Sequence, residues 1–328
     1  MKFGDIIRQP LPVATFTFLV VVIVAFVRAW VTQRFAGEIP AVSAPLGYYT
    51  AAFRLSWPLL SAAASIVMLF VAGFLIGRSS VRAELYATRC FLAMPLFGVV
   101  SCGVLLSSDY LTQSLTLLLL VLASRNYYNS FHRHYCFDRM FRGSLYVGLI
   151  PLLYAPGAGL LLLIPLVVLL FRRTLREVAV AVAGLLLPAL TLCYVNWAAG
   201  GEFLAPVAEP GSAFIAGTPL SLFLSTPVHN LVLPGAVFLL DLTALLFFLS
   251  DIHALGTKPR LIFIFNISVL LLTAAALCGP AATPATVALA AVPSAVLLPF
   301  MFVRIHRAIA LPLYLLLLAS AVISAVLQ

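Results

Sequence analysis

The sequence predicts an all-α protein, a polytopic bundle of about eleven transmembrane helices that form one integral membrane domain. Two observations predict this class, one of composition and one of the length of the apolar runs. Charged residues make up only 9% of the 328-residue chain and hydrophobic residues 63%, whereas a soluble domain carries about 25% charge. Apolar runs of roughly 17–25 residues, the length that crosses a bilayer, also recur from one end of the chain to the other.

The predicted helices lie between short polar or basic breaks. In chain order they occupy residues 11–31, 56–77, 90–106, 111–124, 143–154, 159–171, 178–198, 234–250, 261–278, 286–303 and 308–326. Pro188 is predicted to interrupt the seventh helix. The second half of the loop after the first helix, which contains Tyr48 and Tyr49, is predicted to form an amphipathic helix at the membrane interface.

The fifth and sixth helices form a short predicted hairpin at 143–171, which turns between Tyr154 and Gly159. Both are shorter than the roughly 20 residues that a straight span needs. Three alternatives follow: the two helices thin the bilayer, they span it together with flanking residues, or they form a re-entrant pair. Basic clusters stand on both sides of this hairpin, from Arg125 to Arg142 and from Arg172 to Arg176.

The distribution of basic residues predicts the orientation of the chain. When the helices are threaded alternately, sixteen of the nineteen Lys and Arg residues fall on one side. Arg28, Arg34 and Arg54 fall on the other. Because positive charge is retained on the cytoplasmic side, the N-terminus is predicted to be cytoplasmic and the C-terminus external.

The net charge of +9 is therefore predicted to meet anionic lipid headgroups rather than nucleic acid. The five cysteines form no CxxC pair, which predicts neither a disulfide framework nor structural zinc. The expected partners are membrane lipids.

Two carboxylates on the predicted outer side are the candidates for catalysis. Glu38 follows the first helix and Asp109 precedes the fourth. A carboxylate held there can act as a general base towards an acceptor hydroxyl, or can bind a metal ion. The alternative is that both are solvated loop acids.

The basic segment between the fourth and fifth helices is a candidate site for lipid phosphate. Arg125, Arg133, Arg139 and Arg142 lie there among aromatic residues, although any cytoplasmic loop has this composition. On a strand, His132, His134, Cys136 and Asp138 would share one face and could bind a metal. A helix is expected instead, with an i,i+4 pair between Asp138 and Arg142, so no metal site is predicted.

Asp241 lies within the predicted eighth helix, where an ionisable side chain is costly and points to a function. It is a candidate intramembrane site for a coupling ion or proton in a transporter. Alternatively it is a neutral carboxyl group hydrogen-bonded to a neighbour such as Asn266 or Asn196.

Two stretches carry a distant resemblance to GT-C glycosyltransferases. LSSDYLTQSLTLLLLVLASR resembles the region around their fourth helix, in which an Asp opens a helix that ends in Arg, and GSLYVGLIPLLYAPGAGLLLLIPLVVLLFRR resembles the hairpin that follows. The resemblance covers the first seven helices, 11–198, with additional helices at 234–327. It implies a polyprenyl-phosphate-linked sugar donor, transfer on the outer face, Glu38 and Asp109 as the catalytic acids, and a divalent cation as a candidate cofactor.

The hairpin and the flanking DRMF and REVAVAVAGLLLPAL resemble more closely an uncharacterised multipass bacterial family of unknown function. This second resemblance implies no activity, and the protein is expected to be an integral protein of the bacterial inner membrane that acts in cell-envelope biogenesis. Two functions stay open: a glycosyltransferase or a degenerate relative, and a non-enzymatic transporter or scaffold subunit of an envelope complex.

Overall fold

The structure is a computed structural model that describes residues 9–31, 44–86, 88–103, 109–131, 135–208, 211, 220–226 and 228–327. These residues form helices and connecting turns, with no strand among them. The helices are α1 Leu11–Val31, α2 Pro45–Ser56, α3 Pro58–Arg82, α4 Ala93–Gly103, α5 Tyr110–Asn129, α6 Phe137–Leu153, a 3-10 helix Ala155–Leu162, α7 Leu163–Leu170, α8 Leu175–Ala198, α9 Ser221–Ser225, α10 Val228–Asp251, α11 Thr257–Leu277, α12 Pro284–Leu289, α13 Ala291–Arg304 and α14 Arg307–Leu327.

Five of the described helices are long and apolar enough to cross a membrane, namely α1, α3, α8, α10 and α11. Only about a third of α1, α3 and α11, and less of α8 and α10, is buried against the rest of the protein. Their remaining surfaces are apolar, and such surfaces are stable in lipid rather than in water. The fold is therefore that of a multipass helical membrane protein.

Two shorter helices form the centre of the bundle. In α4, Ala93 to Val100 are buried almost completely, and in α13 every residue from Ala291 to Phe302 is buried. Each helix is apolar around its whole circumference, which is the pattern of a helix that is enclosed by other helices. The two helices pack on each other, α4 also contacts α1, α3 and α14, and α13 also contacts α10 and α11.

The predicted hairpin is present, with different bounds. The first arm begins at Phe137 rather than at residue 143, so α6 has 17 residues. The second begins at Ala155, directly after Tyr154, as a 3-10 helix that continues into α7. Pro156 is accommodated because the first residues of a helix need no N–H partner. A 3-10 helix rises about 2.0 Å per residue, so these 16 residues extend about 28 Å, close to the thickness of a hydrocarbon core.

The helix α8 continues through Pro188, so the predicted interruption there is wrong. Helices in a membrane bundle tolerate proline because neighbouring groups compensate the lost hydrogen bond. Here α8 packs closely against α6 at two glycines. A Cβ atom at Gly148 would lie 2.5 Å from the carbonyl oxygen of Leu185, and one at Gly184 would lie 2.6 Å from that of Phe141. Any side chain at either glycine would separate the two backbones.

The remaining differences concern helix ends. The predicted helix in the first loop is confirmed as α2, and the predicted tenth helix is two helices, α12 and α13, that meet at Ala290. The eighth predicted helix corresponds to α10, which begins at Val228 instead of residue 234. Pro234 therefore lies within the helix and not at its start. Helix boundaries are set by local hydrogen bonding, which an apolar pattern does not specify.

Candidate functional site

The bundle has two polar ends, and α5 runs between them. We call the first the Asp109 end; it contains the starts of α3, α5 and α12 and the end of α6. We call the second the Glu177 end; it contains the end of α5 and the starts of α6 and α8. Hydrogen bonds join neighbouring elements at each end, for example Thr50 to Thr112 at 2.7 Å and the Cys136 N–H to Glu177 Oε1 at 3.0 Å.

Asp109 occupies the N-cap position of α5, but its side chain does not cap the helix. An Asp at this position commonly accepts a hydrogen bond from the first turn. Here the carboxylate lies beside Arg54 of α2, with 3.7 Å between Oδ1 and the guanidinium Nη1. This separation is too long for a hydrogen bond, and Oδ1 is buried without a hydrogen-bond partner among the residues that the structure describes. Within that part of the chain, Asp109 therefore has an oxygen that can still accept a hydrogen bond.

Arg54 is not among the residues predicted for the site, yet its side chain is only 2% exposed. A buried cation beside a carboxylate changes the chemistry of both groups. Burial raises the pKa of Asp109 above its ordinary value, and the Arg54 charge partly opposes the rise. The sequence signal for Arg54 is its place among the three basic residues on the predicted outer side. A basic residue on that side is an exception to the general topology rule.

Tyr154, the residue between α6 and the 3-10 helix, borders the same site. Its hydroxyl group forms hydrogen bonds with the Oγ1 atoms of Thr283 and Thr286, at the start of α12. Burial raises the pKa of Tyr154 to about 12, and although the two threonine hydrogen bonds lower it, the Asp109 charge adds to the rise. The site thus combines a carboxylate, a guanidinium and hydroxyl groups from four separate parts of the chain.

Glu38, the other predicted catalytic acid, lies outside the described residues. The prediction that Glu38 and Asp109 meet at a shared acceptor position therefore stays a prediction. Within the described residues, the charged partner of Asp109 is a base and not an acid.

The predicted phosphate-binding arginines divide between different places. Arg125 lines a pocket of about 30 Å³ that Arg78, Arg82 and Lys258 also line. These four basic side chains come from the ends of α3 and α5 and from the start of α11. The described residues of its lining include no acid, and their shared positive charge suits an anionic group.

The other arginines of that segment have separate partners. Arg139 donates a hydrogen bond to the carbonyl oxygen of Asn129, and Arg142 pairs with Asp138 at 2.8 Å, as predicted for an i,i+4 pair. Both members of the Arg142 pair are more than half exposed. Arg133 lies outside the described residues, as do His132 and His134.

Glu177 is a buried acid that is not among the predicted site residues. It follows Thr174 by three residues, and the two side chains form the capping box at the start of α8. One carboxylate oxygen accepts from the Thr174 N–H and hydroxyl, and the other from the Cys136 N–H and Arg173. Both oxygens are satisfied, so this acid holds the structure together. The T-x-x-E spacing before an apolar run is the sequence signal for it.

Asp241 is buried in α10, and its Oδ2 accepts a hydrogen bond from the hydroxyl group of Ser294 in α13. Asn266 and Asn196, the predicted hydrogen-bond partners of Asp241, have other partners. Asn266 accepts a hydrogen bond from Tyr128 at 2.8 Å, and Asn196 donates one to the carbonyl oxygen of Glu202 at 2.6 Å. Ser294 is distant in sequence, and its position opposite Asp241 depends on the packing of α13 against α10.

The described residues contain no group of three or more His, Cys, Asp or Glu side chains that could hold a metal ion. At Asp109 the neighbouring Arg54 supplies the positive charge that a bound cation would otherwise supply. The described part of the site therefore does not fit a divalent cation.

Comparison of the chain with protein-family models, with curated proteins and with solved structures gives no match.

Proposed function

We propose that the protein is a multipass protein of the bacterial inner membrane, with its N-terminus in the cytoplasm, that transfers a glycosyl group from a polyprenyl-phosphate donor. The single observation that carries this proposal is the buried Oδ1 of Asp109, which lies 3.7 Å from Arg54 and has no hydrogen-bond partner among the described residues. The resemblance to GT-C glycosyltransferases supports it, because the aligned Asp opens a helix there as Asp109 does here.

The two charges of the site suit the two halves of such a transfer. Asp109 accepts the proton of the acceptor hydroxyl group as the new bond from that oxygen to the sugar forms. The bond between the sugar and the phosphate oxygen breaks, and the Arg54 guanidinium stabilises the phosphate that leaves with the lipid. A carboxylate that is already held by several hydrogen bonds, such as Glu177, is a poorer base because its accepting oxygens are occupied.

We keep for Arg125 the role that the sequence indicates, a site for lipid phosphate, with different partner residues. Arg125 lies sixteen residues after Asp109 on the same helix, which places it about 24 Å away along the axis. It therefore cannot contact a phosphate that reacts at Asp109. We assign the pocket of Arg78, Arg82, Arg125 and Lys258 to anionic lipid headgroups at the cytoplasmic surface.

The distribution of the basic residues supports this orientation. The basic pocket lies at the Glu177 end, where most Lys and Arg residues are predicted, and Arg54 lies at the Asp109 end, as the threading predicts. With the Glu177 end in the cytoplasm, Asp109 and Tyr154 face the outer side of the membrane.

The test is a comparison of lipid-linked and glycan fractions between a deletion strain and strains that carry variants of the chain. The wild-type chain should restore the glycosylation that the deletion strain lacks. Asp109→Asn should fail to restore it, because the transfer rate should fall by a factor of about 10²–10⁴. Glu202→Gln is the matched control, because Glu202 is an exposed acid that follows α8 on the same predicted side. Wild-type transfer by Asp109→Asn, at equal abundance, contradicts the proposal and favours a transporter or a scaffold subunit.

A further inference from the structure

A pocket of about 300 Å³ lies between α10 and α11, with Val100 of α4 and Val287 of α12 also in its wall. Its lining is almost entirely apolar and includes Leu231, Phe238 and Leu270. The two oxygen-bearing side chains in the lining are Asp241 and Thr273, and the Thr273 hydroxyl group donates to the carbonyl oxygen of Val269 within its own helix. The carboxyl group of Asp241 is therefore the polar group that remains for a ligand.

Asp241 has one oxygen in use and one free. Oδ2 accepts from Ser294, whereas Oδ1 is buried and has no hydrogen-bond partner in the described part of the chain. The side chain is only 1% exposed, and the described residues of the pocket lining include no Lys, Arg or His. Leaving a carboxyl oxygen buried and unpaired is costly, so a donor or a cation that enters the pocket gains the interaction that the fold leaves unmade.

Asp241 lines the pocket at a distance from the Leu231 and Cys278 positions of the lining. Leu231 and Asp241 are ten residues apart on α10, about 15 Å along the helix axis, and Leu277 and Cys278 line the pocket where α11 ends. Phe238, which is 53% exposed, and Gly235 lie at the open side of the pocket. A ligand that fits has an apolar body along the pocket and one positive group at Asp241.

We propose that this pocket binds a small lipophilic amine, whose ammonium group pairs with Asp241 and whose apolar part packs against α10 and α11. An acyl chain of a lipid would fill the same apolar space but would leave Oδ1 without a partner. This site is separate from Asp109, and the proposal does not depend on the glycosyltransferase assignment.

The cysteines of the chain allow the pocket to be tested directly. Cys278 lines the pocket and is exposed, whereas Cys90, Cys102 and Cys193 are buried. Cys136, which is partly exposed at the Glu177 end, serves as an internal control. The full chain in lipid nanodiscs is treated with a maleimide in the presence of octylamine or octanol, and the alkylation rate of each cysteine is followed by peptide mass spectrometry.

Octylamine should slow the alkylation of Cys278 but not that of Cys136, and octanol at the same concentration in the membrane should have a much weaker effect. Asp241→Asn should raise the half-protecting concentration of octylamine about tenfold or more, because an interaction with a charged group is lost. Equal protection by octylamine and octanol, or no protection by either, overturns the proposal.

A second variant keeps the test valid if Asp241→Asn does not fold. A Cβ atom at Gly235 would meet no heavy atom within 4 Å, so Gly235→Leu adds a side chain into open space at the pocket. The folded Gly235→Leu protein should lose the protection of Cys278 by octylamine. Undiminished protection in that variant shows that octylamine binds elsewhere and overturns the proposal.

Discussion

Asp109 and Glu177 are buried or partly buried acids near opposite ends of the same bundle, and each lies next to an arginine. Glu177 accepts four hydrogen bonds, from Thr174, Cys136 and Arg173, and is 3% exposed. Asp109 lies 3.7 Å from Arg54, is 21% exposed, and has no hydrogen bond from a described residue to its Oδ1. An acid whose oxygens are all used stabilises the fold, whereas an acid with a free oxygen beside a cation is available to a substrate.

The largest difference between the two ends should appear in the free energy of unfolding of variants at Glu177 and at Asp109. Glu177→Ala leaves the Arg173 guanidinium buried without its carboxylate and should cost about 3–5 kcal/mol in the free energy of unfolding. Glu177→Gln, which keeps the shape, should cost less. The measurement is the unfolding midpoint of the purified protein in detergent, with Asp109→Asn as the comparison. If Asp109→Asn lowers the midpoint as far as Glu177→Ala does, the two acids do not differ in role.

The effect of Arg54 on Asp109 should appear in the pH dependence of transfer. Asp109 must be ionised to accept a proton, so the rate falls as the pH decreases through its pKa, which burial already raises. Arg54→Gln removes the charge that opposes this rise, so the acidic limb of the pH–rate profile should move to higher pH. Arg54→Lys keeps a positive charge and should leave the limb closer to its wild-type position. An acidic limb that stays in place in a folded Arg54→Gln protein shows that the arginine does not act on this carboxylate.

A smaller effect is expected for the cap that Glu177 shares. Thr174→Ala removes one hydroxyl donor to Glu177 and half of the capping box, and should cost about 1 kcal/mol. The same unfolding measurement applies, and Thr174→Ser is the control because it restores the hydroxyl group. A loss equal to that of Glu177→Ala would mean that the cap, rather than the ion pair, gives this end its stability.

The smallest effect is expected at the exposed pair of Asp138 and Arg142. Asp138→Ala removes a contact of 2.8 Å between side chains that are 68% and 61% exposed, and should cost only about 0.3–0.5 kcal/mol. The free energies of unfolding of Asp138→Ala and Glu177→Ala are measured in one series. Their difference shows how much of the stability of an ion pair depends on its burial. A cost of several kcal/mol at Asp138 would show that exposure is not what distinguishes the pairs.

Much of the helical pattern can be predicted from the sequence, because apolar runs of bilayer length are a property of local composition. Each of the eleven predicted segments overlaps a described helix, and the Asp138–Arg142 pair is confirmed because its partners are four residues apart. The continuous path of α8 through Pro188 is not predictable in this way, since it depends on how closely α6 packs against α8.

The candidate sites are predicted only as single residues. Asp109 and Asp241 are identifiable because acids are rare in such a chain. Their surroundings are not: Arg54 lies 55 positions before Asp109, and Ser294 lies 53 positions after Asp241. Arg125 is predicted to act with its neighbours in sequence, whereas the structure places it with Arg78, Arg82 and Lys258.

The sequence by itself therefore determined that the protein is helical, that it is apolar enough for a membrane, and which few charged residues have to be explained. Only the tertiary structure decided which of those charges are satisfied. The physical reason is that composition and periodicity act along the chain, whereas hydrogen bonds and ion pairs form between residues that helix packing brings together. The set of hydrogen bonds to Glu177 is completed by the distant Cys136 N–H, and Asp109 lies beside Arg54, 55 positions away; both of these contacts arise from packing.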